Sequence, residues 1–358
     1  MEKKNYNVVG VMSGTSLDGI DLAYINFNLE DDAIKFKILM AETIKYSDSW
    51  VETLKNASFL NKNELKELDE RYTILLSKVI LNFIKSNNIE NSIDAICSHG
   101  HTILHKPNLG ITLQIGNLPQ MAELLKQNVV CNFRVQDVLL GGQGAPLVPI
   151  GDRILFSKYK YCLNLGGFSN ISFEDNYKRV AYDICAVNTV LNYYANKLNL
   201  EYDNNGNVAK LGRLNTDLFN ALNRLTYYQL PYPKSLGIEW VNENVFPLIN
   251  SFSISEKDIL HTYCHHIAFQ LQQAIKDKKA SILITGGGAY HSFLIHTLKE
   301  YLSEAEIIIP NHDIIQFKEA LIFGLLGVLK LQNKINVLSS VTGASQDHSS
   351  GYIYYYNS

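Results

Sequence analysis

One pattern, written twice, constrains this chain more than any other feature. Residues 6–12 are apolar apart from Asn7, 13–19 form a turn cluster rich in glycines and small polar residues, and 20–27 are apolar again apart from Asp21 and Asn26. The order returns at 161–165, 166–170 and 171–173, and Gly14 and Gly166 lie 152 residues apart in a chain of 358. Two apolar runs joined by a Gly/Ser/Thr turn predict a β-hairpin. A third glycine turn, 286–288, follows a buried-strand run at 281–285 and precedes a helical pattern at 291–303, a strand at 306–310 and a helix at 317–331. Glycines where a strand feeds a helix belong to α/β architecture. The chain reads as two α/β halves, each opening on a hairpin.

The intervening sequence fits that frame. Apolar residues recur at helical spacing over 61–87, with Asn61 and Glu64 placed as a capping box. Strands are predicted at 93–98, 111–115 and 129–133, a helix after Asn117, and helices at 188–198 and 257–277. A glycine-rich loop occupies 141–144. No linker or low-complexity segment divides the chain, and its length suits two domains. The domain expectation is an N-terminal lobe of 1–138 plus 332–358 and a C-terminal lobe of 139–331, with a hinge near 135–145.

Charge and composition exclude several classes. A net charge of −3, with 46% hydrophobic and 19% charged residues, describes a globular chain with no bulk attraction to nucleic acid or anionic membranes. The longest unbroken apolar run, 320–329, is too short to cross a bilayer. Five cysteines are scattered with no CxxC, four of them in apolar contexts where they read as small core residues, which suits a reducing compartment. The N-terminal apolar run is too short for a signal peptide. We therefore expect a cytoplasmic protein with neither nucleic-acid nor membrane partners.

The glycine turns carry the chemistry. Such turns bring bare backbone N–H groups together in a concavity that suits a phosphate. Ser13, Thr15 and Ser16 add hydroxyls, and Asp18 or Asp21 could hold Mg²⁺ through its waters. Neither GxxxxGK[ST] nor a GxGxxG between strand and helix is present. With three turns, two can hold the β- and γ-phosphates while the third faces the nucleoside.

At the level of motifs the sequence resembles the anhydro-N-acetylmuramic acid kinases of the sugar kinase/actin/Hsp70 superfamily. The resemblance runs from Gly10-Val11-Met12-Ser13-Gly14-Thr15-Ser16-Leu17-Asp18-Gly19-Ile20-Asp21 through Ser98-His99-Gly100-His101-Thr102, Leu113-Gln114-Ile115-Gly116, and Phe133-Arg134 with Asp137. It continues through 141–149, Leu163-Asn164-Leu165-Gly166-Gly167, Lys234-Ser235, Gly286-Gly287-Gly288-Ala289 and Val341-Thr342-Gly343-Ala344.

It implies a two-lobed α/β fold of duplicated ribonuclease H-like domains with a nucleotide cleft between the lobes, working as a homodimer. It also implies an enzyme that uses ATP and Mg²⁺ to open the 1,6-anhydro ring of an amino sugar and phosphorylate the freed 6-hydroxyl, in cell-wall sugar recycling. The nucleotide contacts it implies are Gly14, Thr15, Ser16, Leu17, Asp18, Gly19, Ile20 and Asp21, then Asn164, Gly166 and Gly167, then Gly286, Gly287 and Gly288. Asp18 and Asp21 are the metal candidates. Asp183 aligns with the catalytic base of the family's Phe-Asp-Thr-Gly-Pro-Gly-Asn segment, here Tyr182-Asp183-Ile184-Cys185-Ala186-Val187-Asn188, with the Asp and Asn kept and the middle replaced. The family's Lys-Ser-Thr-Gly-Arg-Glu appears as Lys234-Ser235-Leu236-Gly237-Ile238-Glu239, and His101 stands where glutamine is common.

For the sugar, Arg134 is the candidate partner of the lactyl carboxylate, because a guanidinium pairs with carboxylates bidentately. Gln114 and Gln143 could read hydroxyls or the acetamide, and His99, Thr102 and Asp137 complete the substrate set. Three other readings compete. A kinase of a different sugar is one. A metal-dependent hydrolase built on His99, His101 and His105 with Asp137, Asp152 or Asp183 is another. A nucleotide-gated binding protein of the actin/Hsp70 type is the third. Without the family resemblance, Asp183 would read as an N-cap or surface carboxylate ahead of the 188–198 helix. His265-His266 in the 257–277 helix reads as packing, and the C-terminal tyrosines as a packing strand or interface piece.

Overall fold

The computed structural model describes residues 3–30 and 33–356. It divides into two compact units, Met1–Leu155 with Phe317–Ser358, and Phe156–Gln316. Segments 139–155 and 317–331 thus pack with the first unit, and the chain crosses between units at 155/156 and 316/317. The helix His312–Leu331 departs from helical geometry at Phe317 (φ −107°, ψ 16°), where the first unit resumes.

In the first unit, β1 (Asn5–Ser13), β2 (Ile20–Glu30) and β3 (Ala33–Ile44) form an antiparallel meander. Beyond β1 lie β4 (Ala95–Lys106), parallel to it, and β6 (Val129–Cys131), parallel to β4; β5 (Ile111–Ile115) folds back on β4. The strand Tyr352–Tyr354 closes the edge against β6, so the tyrosine tail packs as a strand.

One face of this sheet packs Val9, Val11 and Leu22 against Leu68, Tyr72, Leu76 and Ile80 of the helix Lys62–Ser86. The Asn61–Glu64 capping box opens that helix as the sequence predicts. The other face takes the helix His312–Leu331, and glycines set how closely it lies. A Cβ on Gly10 would strike the Ala320 carbonyl, and one on Gly327 would strike the Cys97 sulfur.

In the second unit, β7 (Tyr161–Leu165), β8 (Phe168–Asp175) and β9 (Lys178–Ala186) form an antiparallel meander. Then β10 (Ser281–Thr285) runs parallel to β7, and β11 (Glu306–Ile308) parallel to β10. The order β11-β10-β7-β8-β9 repeats β6-β4-β1-β2-β3 strand for strand and direction for direction. The duplication expected from the two hairpins is therefore present in the topology, with a ribonuclease H-like sheet in each unit. The core of the second sheet is covered by the helices Asn188–Asn196, Glu256–Ala274 and Ser292–Tyr301. All five cysteines are buried, and none of them is in a disulfide. Among the described residues no helix is long and apolar enough to cross a membrane.

Candidate active site

The first turn joins β1 to β2. Leu17 takes a left-handed conformation (φ 60°), its amide donating to the Gly14 carbonyl at 3.3 Å. Thr15, Ser16 and Asp18 are exposed, and the Ser16 hydroxyl donates to Asp18 at 2.7 Å. Asp21 accepts from the Thr43 hydroxyl at 2.5 Å; burial raises its carboxyl above the usual range, and neighbouring Asp18 adds to the rise. Two residues expected among the nucleotide contacts serve packing instead. Ile20 is 1% exposed and its side chain lies in the core, and a Cβ on Gly19 would meet the Thr43 methyl at 2.7 Å.

Sequence reasoning missed what stands behind this turn. Ser13 Oγ lies 2.6 Å from the Tyr46 hydroxyl and 2.8 Å from His101 Nδ1, and Tyr72 donates to it at 3.1 Å. Tyr46 and Tyr72 also hydrogen-bond each other. Burial holds His101 neutral, its pKa lowered to about 4.

His99 and His101 do not form the pair that a metal-hydrolase reading needs. Residues two apart on a strand share a face. Here, however, Gly100 adopts φ 74° and the β1–β4 register slips between Val11 and Ser13. His99 therefore packs on Phe323 of the helix covering one face, while His101 packs on Tyr46 and Tyr72 on the other. Among the described residues no three His, Cys, Asp or Glu side chains converge to hold a metal.

The remaining candidates of the first unit separate into contacts that can face a ligand and contacts that build the loop. His99 is 3% exposed and touches Arg134 rather than solvent. Its Nδ1 donates to the Gly100 carbonyl at 2.9 Å and its Nε2 accepts from Arg134 Nε at 2.8 Å. Burial lowers its pKa, so the ring is neutral. Arg134 Nη1 donates to the Gly144 carbonyl at 2.6 Å.

Asp137 is a correction to the expected substrate set. It is fully buried, and its carboxylate accepts from the Gly144 amide at 2.6 Å and the Thr342 hydroxyl at 2.7 Å. Asp137 thus fastens the 141–144 loop to residue 342, and the segment expected to hinge is pinned. Gln114, 5% exposed, donates to Thr112 at 2.9 Å and Thr102 at 3.4 Å, and its Oε1 has no partner among the described residues. Gln143 keeps an exposed side chain while its amide donates to the Thr342 carbonyl at 2.8 Å. Glu319, absent from the sequence-derived set, shares this neighbourhood. It keeps surface in solvent, yet the protein packed around it raises its carboxyl; Arg134 opposes the rise, and Asp21 and Asp18 add to it.

In the second unit the turn Gly166–Gly167 joins β7 to β8. Its carbonyls accept from the amides of Val187, Asn188 and Thr189 at 2.8–3.2 Å, so the start of the helix Asn188–Asn196 is already capped. N–H and C=O of a trans peptide point in opposite directions. The amide of exposed Gly167 is therefore turned away from the helix, available to an outside acceptor. The third turn abuts the second. A Cβ on Gly286 (φ 81°) would meet Asn164 Oδ1 at 2.6 Å, one on Gly288 would meet Leu165 at 2.7 Å, and one on Gly287 would approach Asn188 at 3.4 Å. Asn164, Gly166, Gly167, Gly286 and Gly287 thus form one glycine-lined surface, whereas Gly288, expected among the nucleotide contacts, is buried behind it against Leu165.

Asp183 lies within β9, not at a helix N-cap; Val187 holds that position. Between the pairs Ser169–Cys185 and Asn170–Asp183 the register shifts, leaving Ile184 as the extra residue of a bulge. Bulges re-aim side chains. Half-buried Asp183 accepts from the Leu236 amide at 3.0 Å through Oδ2, and its other oxygen has no partner among the described residues. Burial raises its carboxyl, opposed by that one hydrogen bond. Its backbone is held as well: its amide donates to the Lys234 carbonyl at 3.1 Å, and its carbonyl accepts from Tyr227 at 2.6 Å.

Two ribonuclease H-like sheets, each with a polar glycine turn after its first strand, and a bulge-mounted carboxylate in the second, define a duplicated α/β chain of the kind that carries phosphotransfer sites. Residues 6–356 match the model of the anhydro-N-acetylmuramic acid kinase family. The chain belongs to that family. It is 31% identical to the anhydro-N-acetylmuramic acid kinase of Hydrogenovibrio crunogenus, covering 97% of each chain. It is also 32% identical to that of Pasteurella multocida, covering 99% of this chain and 98% of the relative.

Proposed function

We propose that the protein is an ATP-dependent kinase that opens the 1,6-anhydro ring of anhydro-N-acetylmuramic acid and phosphorylates O6, giving N-acetylmuramic acid 6-phosphate for cell-wall sugar recycling. The observation that carries the reading is Asp183: a half-buried carboxylate on a bulge, with one oxygen oriented by Leu236 and the other open, in a chain that matches this family end to end.

Asp183 accepts a proton from water as that water attacks the anomeric carbon. The bridging bond breaks, and the released O6 attacks the γ-phosphorus of ATP, expelling ADP. A carboxylate is a weak base unless held close and partly dry. Burial supplies that here by raising its pKa. The exposed donors of Thr15 and Ser16 and the outward amide of Gly167 take phosphate oxygens, and the surface of Gly286 and Gly287 takes the nucleoside.

Asp18 and Asp21 fit a hard divalent ion. Their oxygens are the donor type that Mg²⁺ prefers; the Asp21 carboxyl is raised by burial first and by neighbouring Asp18 as a smaller addition, and a cation would relieve that smaller repulsion. The remaining ligands would include water and phosphate oxygens. Bound Mg²⁺ neutralises charge on the transferring phosphoryl group. Arg134, oriented by His99, takes the lactyl carboxylate, with Thr102, Gln114 and Gln143 on the sugar's polar groups. Five buried cysteines, none in a disulfide, support a cytoplasmic setting; the homodimer rests on the family resemblance.

A coupled ADP-release assay across anhydro-N-acetylmuramic acid, N-acetylglucosamine and related sugars tests the substrate. ADP release stimulated only by another sugar would transfer the reading to that substrate.

A further inference from the structure

The Lys234 segment is bound to Asp183 from both sides, since Lys234 O accepts from the Asp183 amide and Leu236 N donates to its carboxylate. Aromatic rings fix the same segment: Tyr232 stacks on Tyr182 at 5.2 Å and 8° and donates to Asp175 at 2.7 Å. The Lys234 ammonium is thereby carried to a defined place. It lies 4.6 Å over the Tyr227 ring and 6.0 Å from that of Tyr182, half-buried, and donates to the Tyr227 carbonyl at 3.2 Å. An ammonium has three N–H donors, and one carbonyl uses one of them.

No carboxylate among the described residues pairs with it. The titratable group acting on it is Cys185, a buried thiol whose pKa is pushed up to about 12, hence neutral. A cation half out of water, over aromatic faces and without a counter-charge is an incomplete arrangement.

We propose that Lys234 completes it by holding an anionic oxygen of the reactants beside Asp183, either the phosphoryl group in transfer or, in place of Arg134, the sugar's carboxylate. The inference rests on Asp183 being the base of the proposed reaction. Lys234 and Asp183 divide the work: the carboxylate takes the proton, and the ammonium, unpaired with it, is left for the substrate's negative charge.

The test is steady-state kinetics of wild type, Lys234→Met and Lys234→Arg with ATP and anhydro-N-acetylmuramic acid, alongside thermal melting. Methionine keeps the apolar stem and removes the charge. The expected result is a loss of kcat/KM of about tenfold or more in Lys234→Met at unchanged melting temperature, partly restored in Lys234→Arg. A loss confined to the sugar KM assigns the carboxylate; a loss in kcat or in the ATP KM assigns the phosphoryl group. Wild-type kinetics in Lys234→Met would overturn the inference alone, as would a loss that follows melting temperature and is not restored by arginine. An inert wild type would overturn the proposed function and, with it, this role for Lys234.

Discussion

The amide of Leu236 donates to Oδ2 of Asp183 across 53 positions of sequence, at 3.0 Å, and is the one hydrogen bond acting on that carboxylate among the described residues. One oriented oxygen and one open oxygen suit a group that must meet a proton in a single direction. Replacing Asp183 with Asn keeps the shape and removes the base. Turnover should fall by at least about 10³-fold while ATP affinity, read by calorimetry, stays within about twofold. Wild-type kcat/KM should lose activity on the acid side at a pH above the ordinary carboxylate range, because burial raises this pKa. An acid limb at or below that range would remove Asp183 from the role.

The same raised pKa has a consequence for stability. When a carboxyl titrates higher in the folded state than in the unfolded one, its charged form destabilises the fold at neutral pH, and the penalty disappears once both states are protonated. Asp183→Asn should therefore melt above wild type at pH 7 and lose that advantage as the pH falls below about 4. Equal melting at both pH values would show that the carboxylate costs nothing where it stands.

Asp137 predicts the opposite behaviour. Its carboxylate satisfies the buried amide of Gly144 and accepts from the Thr342 hydroxyl, which also reaches the Leu338 carbonyl at 3.4 Å, so Asp137→Ala leaves the Gly144 amide unsatisfied and should cost about 2 kcal/mol in urea unfolding. Gly142→Ala should also destabilise, because its new Cβ would meet the Asp137 carboxylate. A stable Asp137→Ala protein with a raised sugar KM would restore Asp137 to the substrate set.

Two buried neutral histidines predict acid sensitivity. His101, lowered to about 4, contacts Ser13, and His266, lowered to about 3, lies between Asn223 and Tyr228. Below about pH 6.5 the unfolded chain binds protons that the folded chain refuses, so stability is lost as the pH falls from there toward 4. Each contributes on the order of 3 kcal/mol over that window. His101→Gln should flatten the fall; an unchanged slope would place the acid-sensitive groups elsewhere.

Much of the fold was legible because its signals are local. The two hairpins, the capped helix at 61–87 and the strand–glycine–helix order at 281–303 all depend on residues close in sequence, and all three are present. Two strands were not anticipated. β3 leaves most of its length at an exposed sheet edge, with lysines between its apolar residues. β9 carries charge and a bulge within nine residues, which breaks the alternation that marks a strand.

Roles were harder to read than elements. His99-x-His101 looks like a pair until a left-handed Gly100 sends the rings to opposite faces. Asp137 looks like a site carboxylate until Thr342, 205 positions away, folds onto it. Ser13 gave no warning of Tyr46, Tyr72 and His101, which approach it from three separate segments. Partners distant in sequence decide whether a polar residue faces a ligand or a neighbour, and spacing along one chain carries no record of them.

The central claim is that one site couples ring opening to phosphorylation. Its most direct test is mass spectrometry of the products after incubating the purified protein with anhydro-N-acetylmuramic acid and Mg²⁺, with and without ATP. The account predicts one ADP for each N-acetylmuramic acid 6-phosphate formed, and an intact anhydro ring when ATP is withheld. Ring-opened, unphosphorylated sugar accumulating without ATP, or no sugar-dependent ADP at all, would contradict it.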